Sequence, residues 1–227
     1  MKIKNLKRYF SYQRKNKGLS LKNIILNVNM NLDQPFYTNY KKIKNPYSLI
    51  VLCNKYNKLP KSFIPNNLVK IPILFFKGER NEKLNKIALT HFIKMAKAAK
   101  KENLTLKIIS GYRTHQYQTK LYNTIILNKG KEYADKYSAR PGFSEHETGL
   151  AIDINDTSLS FEESQEFKWL KNNAHCYGFI LRYPKDKETI TGYNYEPWHY
   201  RFLGIKIATI IKKKNLTLEE YYALYIN

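Results

Sequence analysis

The sequence predicts an α+β fold: a small, mainly antiparallel sheet with helices on one face and a groove on the other, preceded by an N-terminal helical and extended segment. Three observations predict it. Short apolar runs near residues 105, 150, 180 and 199 are too brief for helices of ordinary length and are bounded by turn residues. Stripes of apolar residues at helical spacing lie between those runs. Joints such as Arg140-Pro141-Gly142 separate the two kinds of segment. At 227 residues the chain is long enough for one well-buried domain plus an appendage. Residues 1–75 read as the extension and 76–227 as the domain.

In the extension, residues 3–13 and 21–30 are candidate helices. The second carries Leu21, Ile24, Ile25 and Val28 on one side, with Ser20 as N-cap. Asp33-Gln34-Pro35 ends that pattern. Residues 47–54 (Y-S-L-I-V-L-C-N) read as a buried strand, and Leu59-Pro60 and Ile64-Pro65 mark an extended passage stiffened by proline.

From Asn81 the spacing becomes helical, with Leu84, Ile87, Ala88, Phe92, Met95, Ala98 and Ala99 on one stripe and His91 as a core or boundary residue. Residues 105–110 follow as a strand, and Gly111 permits a close turn before Tyr112 and Arg113. Thr114 caps a helix over 115–127, which places Arg113 at its mouth and Gln118 one turn in. His115 reads as a surface residue. Residues 129–142 read as a connection. Residues 148–155 form a strand with Ala151 and Asp153 on one face. A short helix over 164–173, a strand over 176–183, a last strand over 195–202 and two closing helices over 205–214 and 218–224 complete the chain, with Thr217 capping the final helix.

The chemistry concentrates in Ser144-Glu145-His146-Glu147-Thr148-Gly149-Leu150-Ala151-Ile152-Asp153 and in Glu196-Pro197-Trp198-His199. Two imidazoles, His146 and His199, and one carboxylate, Asp153, make a three-ligand set suited to zinc with one position open, and also to ferrous iron. Glu196 is left over as a proton acceptor for an activated water, the requirement of metal-assisted hydrolysis. In a regular strand residues three apart point to opposite faces, so Glu196 and His199 converge only through an irregularity, which Pro197 supplies. Glu145 and Glu147 read as solvated, and Trp198 as packing.

Taken in order, Ser110-Gly111-Tyr112-Arg113, Gln118, Ser144-x-His146 with Gly149-x-Ala151-x-Asp153, and Glu196-x-Trp198-His199 resemble the VanY-like D-alanyl-D-alanine carboxypeptidases, zinc peptidases that trim peptidoglycan stem peptides. The resemblance runs from about residue 83 to the C-terminus. It implies zinc on His146, Asp153 and His199, Glu196 as general base, Arg113 polarising the scissile carbonyl, and Gln118 and Ser144 near the substrate's terminal carboxylate. It implies the α+β architecture too, with the zinc in the groove. The same resemblance admits an L,D-carboxypeptidase or a peptidoglycan endopeptidase. From another class, a non-catalytic binder of anionic wall polymer is the alternative.

A net charge of +22 suits a polyanionic partner, and an anionic cell wall or membrane surface meets that description. Nucleic acid is disfavoured, because the lysines are spread from Lys2 to Lys214 and not gathered into a stripe. Cys53 and Cys176 contain no C-x2-C pair, which excludes a thiolate zinc site, and they read as two free thiols, mostly buried. The substrate implied by the resemblance lies outside the cytoplasmic membrane. No apolar span or signal segment is visible in the sequence, so a missing leader is the expectation.

Overall fold

The computed structural model describes residues 1–78 and 82–226. Two short helices, α1 (Leu6–Lys15) and α2 (Leu21–Asn29), pair around Tyr9, Ile24, Ile25 and Val28. Ser20 caps α2 by accepting from the Asn23 amide, and Arg8 pairs with Asp33 to close the unit. The chain then runs irregularly, making the two-residue strands β1 (Lys41–Lys42) and β2 (Asn57–Lys58), which pair in parallel. Residues 47–54 do not form the expected strand; among them only Asn54 makes a bridge, to Asn57. They are nonetheless drawn inward, because the carbonyls of Leu49 and Val51 accept from the buried guanidinium of Arg201 at 3.1 and 2.8 Å. The run is apolar, as its composition indicates, but irregular and not a strand.

Strands β3 (Leu68–Lys70) and β4 (Lys83–Asn85) form an antiparallel ribbon. Leu84 is therefore a strand residue. Asn81, where the helical spacing was expected to begin, lies outside the described residues. The helix α3 (Lys86–Lys101) starts where the Asn85 side chain caps the amides of Ile87 and Ala88. It buries Ala88, Leu89, Phe92, Met95, Ala96 and Ala99, while Ile87 stays exposed. His91 is partly buried, its ring 5.0 Å from that of Phe202.

The central sheet contains β5 (Ile108–Ser110), β6 (Ala151–Ile154), β7 (Phe179–Leu181) and β8 (His199–Phe202), in the order β5-β6-β8-β7 with every neighbour antiparallel. Ile152, Ile154, Tyr200 and Phe202 belong to the core with α3 and with α6 (Gln165–Asn173). Burying such a side chain fully contributes about 1.5–3 kcal/mol, so this face anchors the sheet. The alternate residues Asp153, His199 and Arg201 point the other way.

Between β5 and β6 lie α4 (His115–Lys129), capped by Thr114, and α5 (Lys131–Tyr137). The second corrects the expectation of a plain connection over 129–142; Gly130, at φ +81, breaks the chain between them, and Asp135 of α5 pairs with Arg140. The expected strand over 176–183 is shorter, because residues Ala174–Tyr177 make a 3-10 turn ended by Gly178. After β7 comes a single turn, α7 (Glu188–Thr191). Helices α8 (Ile205–Lys214) and α9 (Leu218–Tyr221) pack on Ile180 and Leu203, and Thr217 with Glu220 forms a capping box. Both cysteines are free, Cys53 buried and Cys176, against expectation, exposed. Among the described residues no helix is long and apolar enough to cross a membrane.

Candidate active site

Asp153 and His199 are directly opposite each other on β6 and β8. This cross-strand pairing aims both side chains to the same face. His146 arrives from the 3-10 turn Glu145–Thr148, which Gly149 closes in the left-handed region, at φ +67. That backbone conformation is the reason for glycine at 149; a Cβ there would in addition lie 2.9 Å from the tip of the Leu68 side chain, which could shift. Gly111 is needed for a different reason: a Cβ there would come within 2.6 Å of the Lys83 carbonyl oxygen. That close approach lets the Gly111 carbonyl face His146 Nδ1 at 2.7 Å.

The donor atoms then converge. His146 Nε2 is 3.4 Å from Asp153 Oδ2, His199 Nδ1 is 3.3 Å from Asp153 Oδ1, and one ligand atom from each of the three residues lies within 4.8 Å of the others. Tetrahedral zinc with nitrogen and oxygen ligands at about 2.0–2.1 Å sets neighbouring donors about 3.3–3.4 Å apart. The two contacts to Asp153 match that spacing, and Asp153 Oδ1, buried, has no hydrogen-bond partner. The donor set fits the ion.

Glu196 stands just outside β8. Its amide donates to the Tyr183 carbonyl and its own carbonyl accepts from the His199 amide at 3.2 Å. The irregularity at Pro197 is therefore a turn ahead of the strand, not a bulge within it. Glu196 Oε2 reaches within 3.4 Å of His199 Nδ1, with 13% of the side chain exposed. Arg113 donates to Asp153 Oδ2 at 3.0 Å and is steadied by two hydrogen bonds to Ser110 Oγ. Gln118 is buried, its amide nitrogen donating to the Ala139 carbonyl at 2.8 Å. All seven residues singled out in the sequence, Arg113, Gln118, Ser144, His146, Asp153, Glu196 and His199, line one cleft of about 320 Å³.

Burial pushes the Glu196 carboxyl up to about 7, with His199 pulling in the opposite direction. Burial also acts to raise Asp153, but His146 and His199 beside it outweigh that and hold it well below the usual carboxylate range. Burial would lower His199; the carboxylates of Asp153 and Glu145 facing its two ring nitrogens raise it instead, to about 9.

Two expectations at this site are corrected. Glu145 and Glu147 are buried, not solvated: Glu145 lies against Arg182 and Arg201, while Glu147 accepts from the Gly142 amide at 2.7 Å. His115 is not a partnerless surface residue, since its Nδ1 lies 2.8 Å from Glu147 Oε2. The signal available in the sequence was an arginine in each of two segments that read as strands, Arg182, which directly follows β7, and Arg201, which lies within β8; a guanidinium buried there needs an anion beside it.

Residues 81–205 match the family of VanY, D-alanyl-D-alanine carboxypeptidase. The Bacillus subtilis (strain 168) protein YodJ is 40% identical over 210 residues, covering 86% of this chain and 77% of YodJ. Among solved structures, the LdcB LD-carboxypeptidase superposes with a TM-score of 0.77 at 40% identity, covering 82% of this chain and 90% of LdcB. A mutant of the vancomycin resistance D,D-pentapeptidase VanY from a VanB-type cassette, in complex with Zn(II), superposes at 0.64 with 32% identity, covering 76% of this chain and 97% of that one. The chain belongs to the VanY family of D-alanyl-D-alanine carboxypeptidases and is a peptide hydrolase.

Proposed function

We propose that the chain is a zinc-dependent D-alanyl-D-alanine carboxypeptidase that hydrolyses the C-terminal D-Ala peptide bond of peptidoglycan stem peptides. The convergence of His146, Asp153 and His199 around one point, with Glu196 at its edge, carries this reading. The three would hold the ion; when bound, zinc lowers the pKa of a water into the physiological range and draws electron density from a carbonyl oxygen. Every other task falls to the chain's own groups. Glu196, at the rim of the donor set, takes the proton of the attacking water and passes it to the leaving amine. Arg113, held by Ser110, donates to the carbonyl oxygen as negative charge develops there. Gln118 and Ser144, in the same cleft, receive the terminal carboxylate end of the substrate together with Arg113.

All of these residues lie within 76–227, the catalytic unit of this proposal, with 1–75 as its extension. The substrate places the protein on the outer side of the cytoplasmic membrane, where its charge of +22 faces an anionic wall. A second reading is cleavage of the L,D bond of a tetrapeptide stem, favoured by the TM-score of 0.77 to an LD-carboxypeptidase.

Digestion of pentapeptide and tetrapeptide muropeptides, with and without chelator, tests both. Release of D-alanine from pentapeptide stems, lost with chelator and restored by zinc, is the expected result. Release from tetrapeptides alone would transfer the assignment to the L,D bond. No release from either, or release indifferent to chelator, would reject the zinc carboxypeptidase.

A further inference from the structure

The mechanism above leaves Glu145 unused, although it is 1% exposed and one residue from His146. Its two oxygens are used unequally. Oε1 accepts from both Arg182 Nε and Arg201 Nη1, each at 2.8 Å. Oε2 takes neither arginine; it faces His199 Nε2 at 3.6 Å, and neither of these two buried atoms has a hydrogen-bond partner. A carboxylate serving only to neutralise two guanidiniums would use both oxygens. This one keeps an oxygen turned to the imidazole.

The imidazole needs it. His199 presents Nδ1 to Asp153 and Glu196, so as a metal ligand it must carry its proton on Nε2. The other imidazole solves the same problem in mirror fashion, with Nδ1 against the Gly111 carbonyl and Nε2 towards Asp153. We propose that Glu145 is the positioning residue for His199: it accepts from His199 Nε2–H in the zinc-loaded protein, fixes the tautomer that frees Nδ1, and raises the basicity of that nitrogen. The inference rests on the metal centre proposed above.

The surroundings show what keeps Glu145 in place. Arg182 is gripped on its far side by Glu219 of α9 through two hydrogen bonds, of 2.9 and 2.6 Å, and Glu219 is itself held by Asn54 at 3.0 Å. Arg201 is gripped by the Leu49 and Val51 carbonyls. Both guanidiniums are fully buried. The irregular segment 49–54 and α9 therefore pack around the two arginines that contact this carboxylate, one step removed from the site.

Metal affinity separates this from a purely structural ion network. Outer partners of histidine ligands typically contribute 10–100-fold to metal affinity. In a chelator-competition titration Glu145→Gln should bind zinc 10–100-fold more weakly, while Glu219→Gln, which breaks the same network one step further out, should stay within about threefold of wild type. Unchanged affinity in E145Q, or an equal loss in E219Q, would overturn the proposal. Should E145Q fail to fold, nitrogen-15 NMR of the zinc-loaded wild type decides: the His199 imidazole should show a protonated Nε2 shifted downfield by an anionic acceptor, and a metal-bound Nε2 would overturn it. Neither readout is turnover. A protein that binds zinc as expected but cleaves no stem peptide would sink the proposed function and leave this role standing.

Discussion

Glu196→Ala should retain stoichiometric zinc and lose hydrolysis of a D-Ala-D-Ala peptide by at least the factor of about 10²–10⁴ that a positioned general base contributes. The reason is geometric. Glu196 Oε2 sits 3.4 Å from His199 Nδ1, at the rim of the donor set, and is anchored by backbone hydrogen bonds at both its amide and its carbonyl. It can therefore reach a water at the centre without being needed to hold the ion. Its stability effect should run the other way. A carboxyl raised to about 7 by burial binds a proton more tightly folded than unfolded, so its contribution is fully unfavourable above about pH 7, fades as the pH falls from there towards the group's ordinary value, and is gone below it. The metal-free variant is expected to melt no lower than the metal-free wild type at pH 8. Wild-type turnover by E196A, measured as D-alanine release, would reject the role.

His146→Ala should lose the metal itself. His146 is 3% exposed, belongs to none of the apolar clusters, and spends one ring nitrogen on the Gly111 carbonyl and the other on the centre. Removing one of three protein ligands should cost more affinity than the 10–100-fold expected of an outer partner. Native mass spectrometry of the purified variant should show no zinc at concentrations that fill the wild type, and turnover should fall with it. Full occupancy would exclude His146 as a ligand.

What could be read in advance depended on how local each signal was. The antiparallel strands near 105, 150, 180 and 199, the caps at Ser20, Thr114 and Thr217, and the joining of Asp153 to His146 and His199 followed from short-range pattern or from motif order. The segment 47–54 misled because an apolar run records burial and not hydrogen-bonding geometry. The carbonyls of Leu49 and Val51 are satisfied by Arg201, about 150 residues later in the chain, and no local pattern announces that. Glu145 and Glu147 misled for the same reason. Two acids flanking a histidine look solvated until Arg182, Arg201 and His115 are found beside them. Leu84 fell on a helical stripe by spacing, yet the Asn85 cap starts the helix after it and leaves it to the ribbon with β3. In each case a partner distant in sequence overrode a local preference.

The cleft residues bear on one another through a single point in space, so the most direct test locates what occupies it. Diffraction from zinc-soaked crystals, collected at the zinc absorption edge, should show one anomalous peak bonded to His146 Nε2, an Asp153 oxygen and His199 Nδ1, with Glu196 unbound beside it. A peak elsewhere, or one in which Glu196 replaces any of the three, would contradict the account.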